Sequence, residues 1–408
     1  MADKMIVILA TLDTKGKEAQ YLREQIEKLG EEALIVDVGV IGKPAIPADI
    51  TREQVAEAGG IPLNKLLEKP DREVAAPVMA KGATKLICEL VKENKVHGIV
   101  AMGGTQGTTL ATAVMRDLPY GFPKVMVSTM ASSNVAPWVG IKDITMMYSV
   151  TDILGLNPVM RTILANAAGA AVGMALANIP MQSTEKALVA ITTVGITTIG
   201  AMKAIEVLEA AGYETIVFHA VGTGGRAMEQ LMREGVISAV LDYSTIEVSN
   251  EMFHALLAGG DKRLTTAGQL GLPQVICPGA IEVLVYNEPE TVPPPFNTRT
   301  LIRHSPQITD VRLDAAEMAR VGEEIARRLS HTKDEAYFLI PTAGYDSYAV
   351  EGGGFHDPHA DLAFVDALKA HLPSNIQIIE RDTHIDDPAF ATEAAETLIR
   401  LIEKRAGS

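Results

Sequence analysis

Short runs of consecutive apolar residues alternate along the whole chain with longer stretches in which apolar positions recur every three or four residues. A brief apolar run bounded by turn residues reads as a strand buried on both faces; the 3.6-residue period reads as a helix lying on it. In the first half this predicts strands over 5–10, 33–38, 98–102 and 124–128, with helices over 15–29, 71–93, 108–115 and 161–177. In the second half it predicts strands over 186–192, 214–220, 239–241, 273–277, 336–340 and 376–380, and a closing helix over 389–404. Such alternation predicts an α/β chain whose two cycles each form an open, mainly parallel sheet flanked by helices. The polar segment NIPMQSTE at 178–185 is the expected linker. It separates an N-terminal subdomain, 1–180, from a C-terminal one, 186–408.

In an open parallel sheet, ligands gather outside the carboxyl ends of the strands. There the chain places Gly103-Gly104-Thr105-Gln106-Gly107, between a buried strand and a helix. Glycines let a ligand approach the backbone, and the free amides of a helix N-terminus attract anions. Thr105, Thr108 and Thr109 add hydroxyls, so this turn is expected to hold a phosphate or carboxylate. It matches neither G-x-x-x-x-G-K-[ST] nor G-x-G-x-x-G. The loop Thr11 to Lys15 ends the first strand, where Asp13 or Thr14 also suits a helix cap. Arg52 is the best-placed base in the Pro- and Gly-rich excursion after the second strand. A second glycine turn, Gly222-Thr223-Gly224-Gly225 followed by Arg226, is expected to make an anion or substrate pocket.

Other candidate chemistry lies in the second half. His304, beside Arg303 and Arg299, reads as a general acid or base near anion-binding guanidiniums, with Glu282 and His356 as further catalytic candidates. The pair His356 and His359 flanks a proline and reads as a capping turn rather than a metal site, so no protein-held metal is expected. Cys277 reads as a buried small hydrophobe.

Length allows two or three domains. A net charge of -15 argues against nucleic-acid and anionic-membrane partners. Two distant cysteines point to a reducing, cytoplasmic setting. The apolar stretch 163–179 is broken by Asn166 and Asn178, so no bilayer span is expected. Small residues over 161–177 suit close helix packing and a homodimer.

Several long motifs recur together: ATLDTK at 10–15, AMGGTQGTTLATAVMRDLPYGFPKVMVSTMAS at 101–132, DITMMYSVTDILGLN at 143–157, FHAVGTGGRAMEQL at 218–231, GLPQVICPGAIEVL at 271–284 and EGGGFHDPHAD at 351–361. With them the chain resembles the Tm-one-like ATP-binding domain family, the N-terminal half of a tomato mosaic virus resistance protein and its bacterial relatives. The resemblance implies two Rossmann-like subdomains, dimers and ATP in the first subdomain, with Mg2+ as its possible companion. ATP contacts carry over to Asp13, Thr14 and Lys15, to Gly103, Gly104, Thr105, Gln106 and Gly107, and loosely to Arg52. The family's Ser-Gly is Thr105-Gln106 here. The expectation is an ATP-binding protein, an enzyme acting on a small carboxylated or phosphorylated metabolite at the sheet edge and between subdomains. Its reaction is ATP-dependent, or a lyase or hydrolase reaction in the second half. The alternative is a non-catalytic, ATP-dependent ligand- or protein-binding module.

Overall fold

A computed structural model describes residues 5–68, 71–177 and 187–407. The expected linker therefore lies outside the described residues. The chain divides into two compact units, Met1–Gln182 and Ser183–Ser408.

Unit 1 is built on five strands: β1 (Met5–Ala10), β2 (Glu32–Asp37), β3 (Val96–Gly103), β4 (Lys124–Ser128) and β5 (Thr145–Tyr148). They run parallel in the order β2-β1-β3-β4-β5. Side chains alternate between two cores. Ile6 and Ile8 of β1 pack on one face with Leu12, Leu22 and Ile26 of the helix Leu12–Lys28, and with Leu164 and Ala168 of Pro158–Leu176. Val7 and Leu9 pack on the other with Met79 and Ile87 of the helix Arg72–Lys92, and with Ala111 and Val114 of Thr105–Asp117. Successive βα units thus leave the sheet on opposite faces at β1 and β3. That is a topological switch point, and it opens a crevice between the two loops.

Unit 2 carries β6 (Leu188–Thr193), β7 (Glu214–His219), β8 (Ala239–Ser244) and β9 (Gln274–Gly279). A small antiparallel sheet follows, β10 (Val283–Tyr286), β11 (Leu301–Ser305) and β12 (Ile308–Arg312), before β13 (Ala336–Pro341) and β14 (Ile376–Arg381). The main sheet is parallel in the order β14-β13-β9-β8-β6-β7; the small one runs β10-β12-β11. Both units are therefore α/β with parallel sheets flanked by helices, as the hydrophobic pattern predicts.

Three elements depart from the sequence reading. Thr145–Tyr148 is an edge strand with an exposed outer side, which hides its apolar signal. The stretch holding Arg299 to Arg312, where no strand is predicted, is largely the β11-β12 hairpin. The helix Pro158–Leu176 is long and apolar enough to cross a membrane by length and composition, against expectation. One side of it, Met160, Leu164, Ala167, Ala168, Ala171, Val172 and Ala175, is buried in unit 1.

Candidate functional site

The glycine turn of unit 1 divides its labour. A Cβ on Gly103 would stand 2.7 Å from Gly107 Cα, so these two glycines let the strand turn directly into the helix. Gly104 is different: a Cβ there would meet only Thr129 Oγ1, at 3.8 Å, so its surroundings are open. Gly104 is the N-cap of Thr105–Asp117, with Thr105 and Gln106 exposed beside it. The helix amides therefore face accessible space.

Two of the expected hydroxyls are committed inside the protein. Thr108 is buried, with Oγ1 donating to the Gly104 carbonyl at 2.8 Å and 2.6 Å from Ser128 Oγ. Thr109 Oγ1 donates to the Thr105 carbonyl at 2.9 Å and accepts from the Trp138 indole at 3.0 Å. Of the three threonines, Thr105 is left facing outward, 3.4 Å from Met130 Sδ.

Across the crevice, the loop after β1 is already helical from Leu12, with a kink at Lys15. Asp13 lies against the loop after β2: a Cβ on Gly39 or Gly42 would come within 3.2 Å of its carboxylate oxygens. Buried Asp37 accepts from the Leu12 and Gly39 amides and ties the two loops together. Burial holds its carboxyl above the usual range, against those two hydrogen bonds and the nearby Arg52 charge. Arg52 donates to the carbonyls of Val40 and Gly42, so it braces this loop. Thr14 Oγ1 pairs with Thr11 Oγ1, 3.0 Å apart. The Lys15 ammonium donates to the Ile153 carbonyl in the loop after β5.

Thr129 connects the turn to a cleft of about 310 Å³ at the ends of β4 and β5, lined also by Tyr148, Ser149, Val150, Thr151 and Asp152. Val150 sits there at φ 61 and is 60% exposed. A β-branched residue in left-handed backbone is strained, and such strain gathers at ligand sites.

In unit 2 the second glycine turn is filled from within. The amides of Gly222 and Gly225 donate to Glu247 Oε1 at 2.5 and 3.0 Å, and Glu247 is fully buried. The anion at this helix N-terminus is the protein's own carboxylate. A Cβ on Gly224 would overlap the His219 carbonyl, and one on Gly225 would overlap Glu247 and Arg263. Thr223 begins the helix Thr223–Arg233, and Arg226 Nε donates back to the Gly222 carbonyl at 3.0 Å. This corrects the expected substrate pocket at Gly222 to Arg226: the turn is structural. Glu247 is held in turn by Arg263, whose guanidinium also forks onto Asp242 at 2.5 Å on both oxygens.

The three catalytic candidates do come together, in a cluster the sequence reading incompletely foresaw. His304 Nδ1 lies 3.0 Å from Tyr348 Oη and 3.6 Å from Asp310 Oδ2, and the residue is 43% exposed. Its expected guanidinium neighbours are elsewhere. Arg299 is paired with Glu317 and Asp314, and Arg303 donates to the Pro306 carbonyl. Behind Asp310 stand Asp346, Glu282, Arg312 and Asp361. Arg312 Nη2 donates to Asp361 at 2.7 Å, while its Nη1 stops 3.8 Å from Glu282. Both oxygens of Glu282, Asp346 Oδ2, and Nε and Nη1 of Arg312 are buried without a hydrogen-bond partner among the described residues. His356 faces the Ala349 carbonyl at 3.1 Å, at the margin near Asp361. Cys277 is fully buried and its thiol is pushed up by burial.

Four carboxyls around one guanidinium cannot all ionise out of water. Burial accordingly pushes Asp310 up to about 7, and pushes Asp346 to about 7 against two backbone hydrogen bonds. Glu282 is raised well above the usual range by burial, then by Asp346. A carboxyl raised in the folded state binds a proton that the unfolded chain has lost. Its stabilisation is therefore complete below the unfolded value near 4 and is lost as pH climbs to about 7. Urea unfolding at pH 4.5 and pH 7.5 should show the stability of Asp310→Asn falling less with rising pH than that of the parent. Equal slopes would remove Asp310 from the titrating cluster.

Comparison with known proteins agrees over the full length. A family model described as the N-terminal domain of Uncharacterised protein family UPF0261 matches residues 4–180, and that of its C-terminal domain matches 186–402. A UPF0261 protein of Clostridium tetani is 41% identical over 98% of this chain and 100% of its own length. One of Rhizobium meliloti is 41% identical over 96% and 97%. The ToMV resistance protein Tm-1(GCR237) of Solanum lycopersicum is 31% identical over 82% of this chain, but that covers only 45% of the tomato protein. With both halves matched and relatives aligned end to end, the chain belongs to the UPF0261 family.

Proposed function

We propose that unit 1 binds ATP at the switch-point crevice, with the phosphates on the amides of Gly104 to Gly107 and the nucleoside in the adjoining cleft. The carrying observation is the continuity between open Gly104 and that cleft through Thr129. Thr105 and Gln106 would meet phosphate oxygens, and half-exposed Tyr148 offers the base an aromatic face. Asp13 is the carboxylate at the crevice, suited to a nucleotide-borne Mg2+. Arg52 holds the loop that positions Asp13. The enzyme reading follows from unit 2, whose acid cluster suits chemistry on a small carboxylated or phosphorylated metabolite in the cytoplasm. One observation favours the non-catalytic alternative, in which ATP is held and not consumed: the Lys15 ammonium is engaged by the Ile153 carbonyl. Titration calorimetry of the full chain with Mg-ATP tests the proposal. Saturable one-site binding is expected, and no heat at any temperature would overturn it.

The same reading includes a homodimer. On the outer side of Pro158–Leu176, a Cβ on Gly169 or Gly173 would meet nothing within 4 Å among the described residues, and Val159 and Leu176 are exposed. Sedimentation at micromolar concentration should give twice the mass of the chain; a monomer would remove this assignment.

A further inference from the structure

Unit 2 holds a feature that nucleotide binding in unit 1 does not need. Asp310 and Arg312 point to the same face of the small sheet, two residues apart on β12. Against that face pack Ile196, Ala280, Tyr348 and Phe355, from the loops after β6, β9 and β13. Ala280 is held at φ 55, with its amide donating to the Tyr345 carbonyl, and the next turn delivers Glu282 inward. Asp346 is fixed by the amides of Tyr348 and Ala349, which leaves Oδ2 unpartnered. Natural proteins rarely leave several buried polar atoms unpaired, and those they do leave tend to mark function. At the outer end of this row, the ring of His304 is open to solvent. A Cβ on Gly195 would still lie 3.9 Å from its Cε1, so the missing side chain keeps that edge clear.

We propose that this row is an acid–base centre: His304, seated by Asp310 and Tyr348 and backed by Asp346 and Glu282, moves a proton at a carbon next to the carbonyl of a small oxo or hydroxy-oxo compound. It rests on the reading of the protein as an enzyme, and not on nucleotide binding. Nδ1 faces Asp310 and Tyr348, which leaves Nε2 on the opposite side of the ring for substrate. The C–H bond breaks, its proton goes to Nε2, and its electron pair stays on the substrate as an enolate. The imidazolium keeps its Nδ1 proton against Tyr348 Oη at 3.0 Å, with Asp310 Oδ2 3.6 Å away, and the reverse steps return a proton to carbon. No oxidant or second substrate is required. For the C–H bond proposed here the base sets the substrate class, since among carbon-bound protons an imidazole reaches those made acidic by an adjacent carbonyl. Burial raises the Asp310 carboxyl, and the titratable groups that face it are His304 on β11 and Tyr348 and Asp346 on the loop after β13.

Deuterium wash-in from D2O tests the centre. Pyruvate, 2-oxobutyrate, dihydroxyacetone and dihydroxyacetone phosphate are the probes, followed by proton NMR with the full chain, with and without ATP. At least one probe should exchange above the buffer rate, and His304→Gln and Asp310→Asn should each slow it by about a hundredfold or more. The exposed His371→Gln variant should not. The Asp310 carboxyl carbon resonance should also titrate at about 7 in the parent and be absent from Asp310→Asn, whose backbone amide spectrum should otherwise match the parent's. This second readout shows that the variant is folded. Exchange on none of the four probes, exchange that survives His304→Gln, or an Asp310 carboxyl that titrates in the ordinary carboxylate range would each overturn the proposal. The calorimetric test of ATP stands apart from all three.

Discussion

Arg263→Met should destabilise unit 2 by about 3–5 kcal/mol, the cost of removing one partner from a buried ion network. Arg263 is wholly buried and is the cation shared by Asp242 and Glu247. Asp242 also accepts from Thr192 Oγ1 at 2.8 Å, joining β6 to β8, while Glu247 holds the two amides of the glycine turn. Without the guanidinium, two nearly inaccessible carboxylates face each other and must protonate or draw in water. Lysine would not replace it, because a single ammonium cannot fork onto Asp242 and reach Glu247 together. Combining Arg263→Met with Asp242→Asn and Glu247→Gln should recover part of the loss, since the stranded charges go with their partner. Urea unfolding of the full chain measures both. A loss under about 1 kcal/mol for Arg263→Met, typical of an exposed pair, would show that the network does not anchor the fold.

That network also explains what sequence could and could not show. The strands of both parallel sheets announce themselves as apolar runs, because a strand covered on both faces has no polar side. The glycine turns were equally visible as backbone that must pass close to something. What they pass close to was not visible. At Gly104 it is open space; at Gly225 it is Glu247, 22 residues on, and no local pattern distinguishes a carboxylate meant as an internal ligand from a surface one. The hydroxyls of Thr108 and Thr109 were misjudged for a related reason. In a helix a threonine hydroxyl can return to the carbonyl four residues back, and both do. His304, Glu282 and His356 were legible as chemistry-bearing residues after strands. Asp310 and Asp346 were not, because the β11-β12 hairpin that turns Asp310 inward follows three prolines and begins with the half-exposed strand Leu301–Ser305.

Gly104→Val should leave unit 1 folded and remove its response to ATP. The substitution is tolerable in itself: Gly104 has φ -76 and ψ -162, extended backbone open to any residue, and its Cβ position is clear of everything but Thr129 Oγ1. What valine would fill is the space in front of the helix amides, where a phosphate must come within about 3 Å of nitrogen to hydrogen-bond. At a hundredfold excess over its Kd, a ligand stabilises the folded state by about 2.7 kcal/mol. For a unit of this size that is a rise of about 5–10 °C in melting temperature. The parent should show this rise with Mg-ATP and Gly104→Val should show none, while their melting temperatures without nucleotide stay within a few degrees. Gly103→Ala is the contrast: its Cβ would stand 2.7 Å from Gly107 Cα, so it should lower the melting temperature even without ligand. A Gly104→Val protein that melts normally and still gains the full shift would place the nucleotide away from this turn. The strained Val150 and its cleft would then need another occupant.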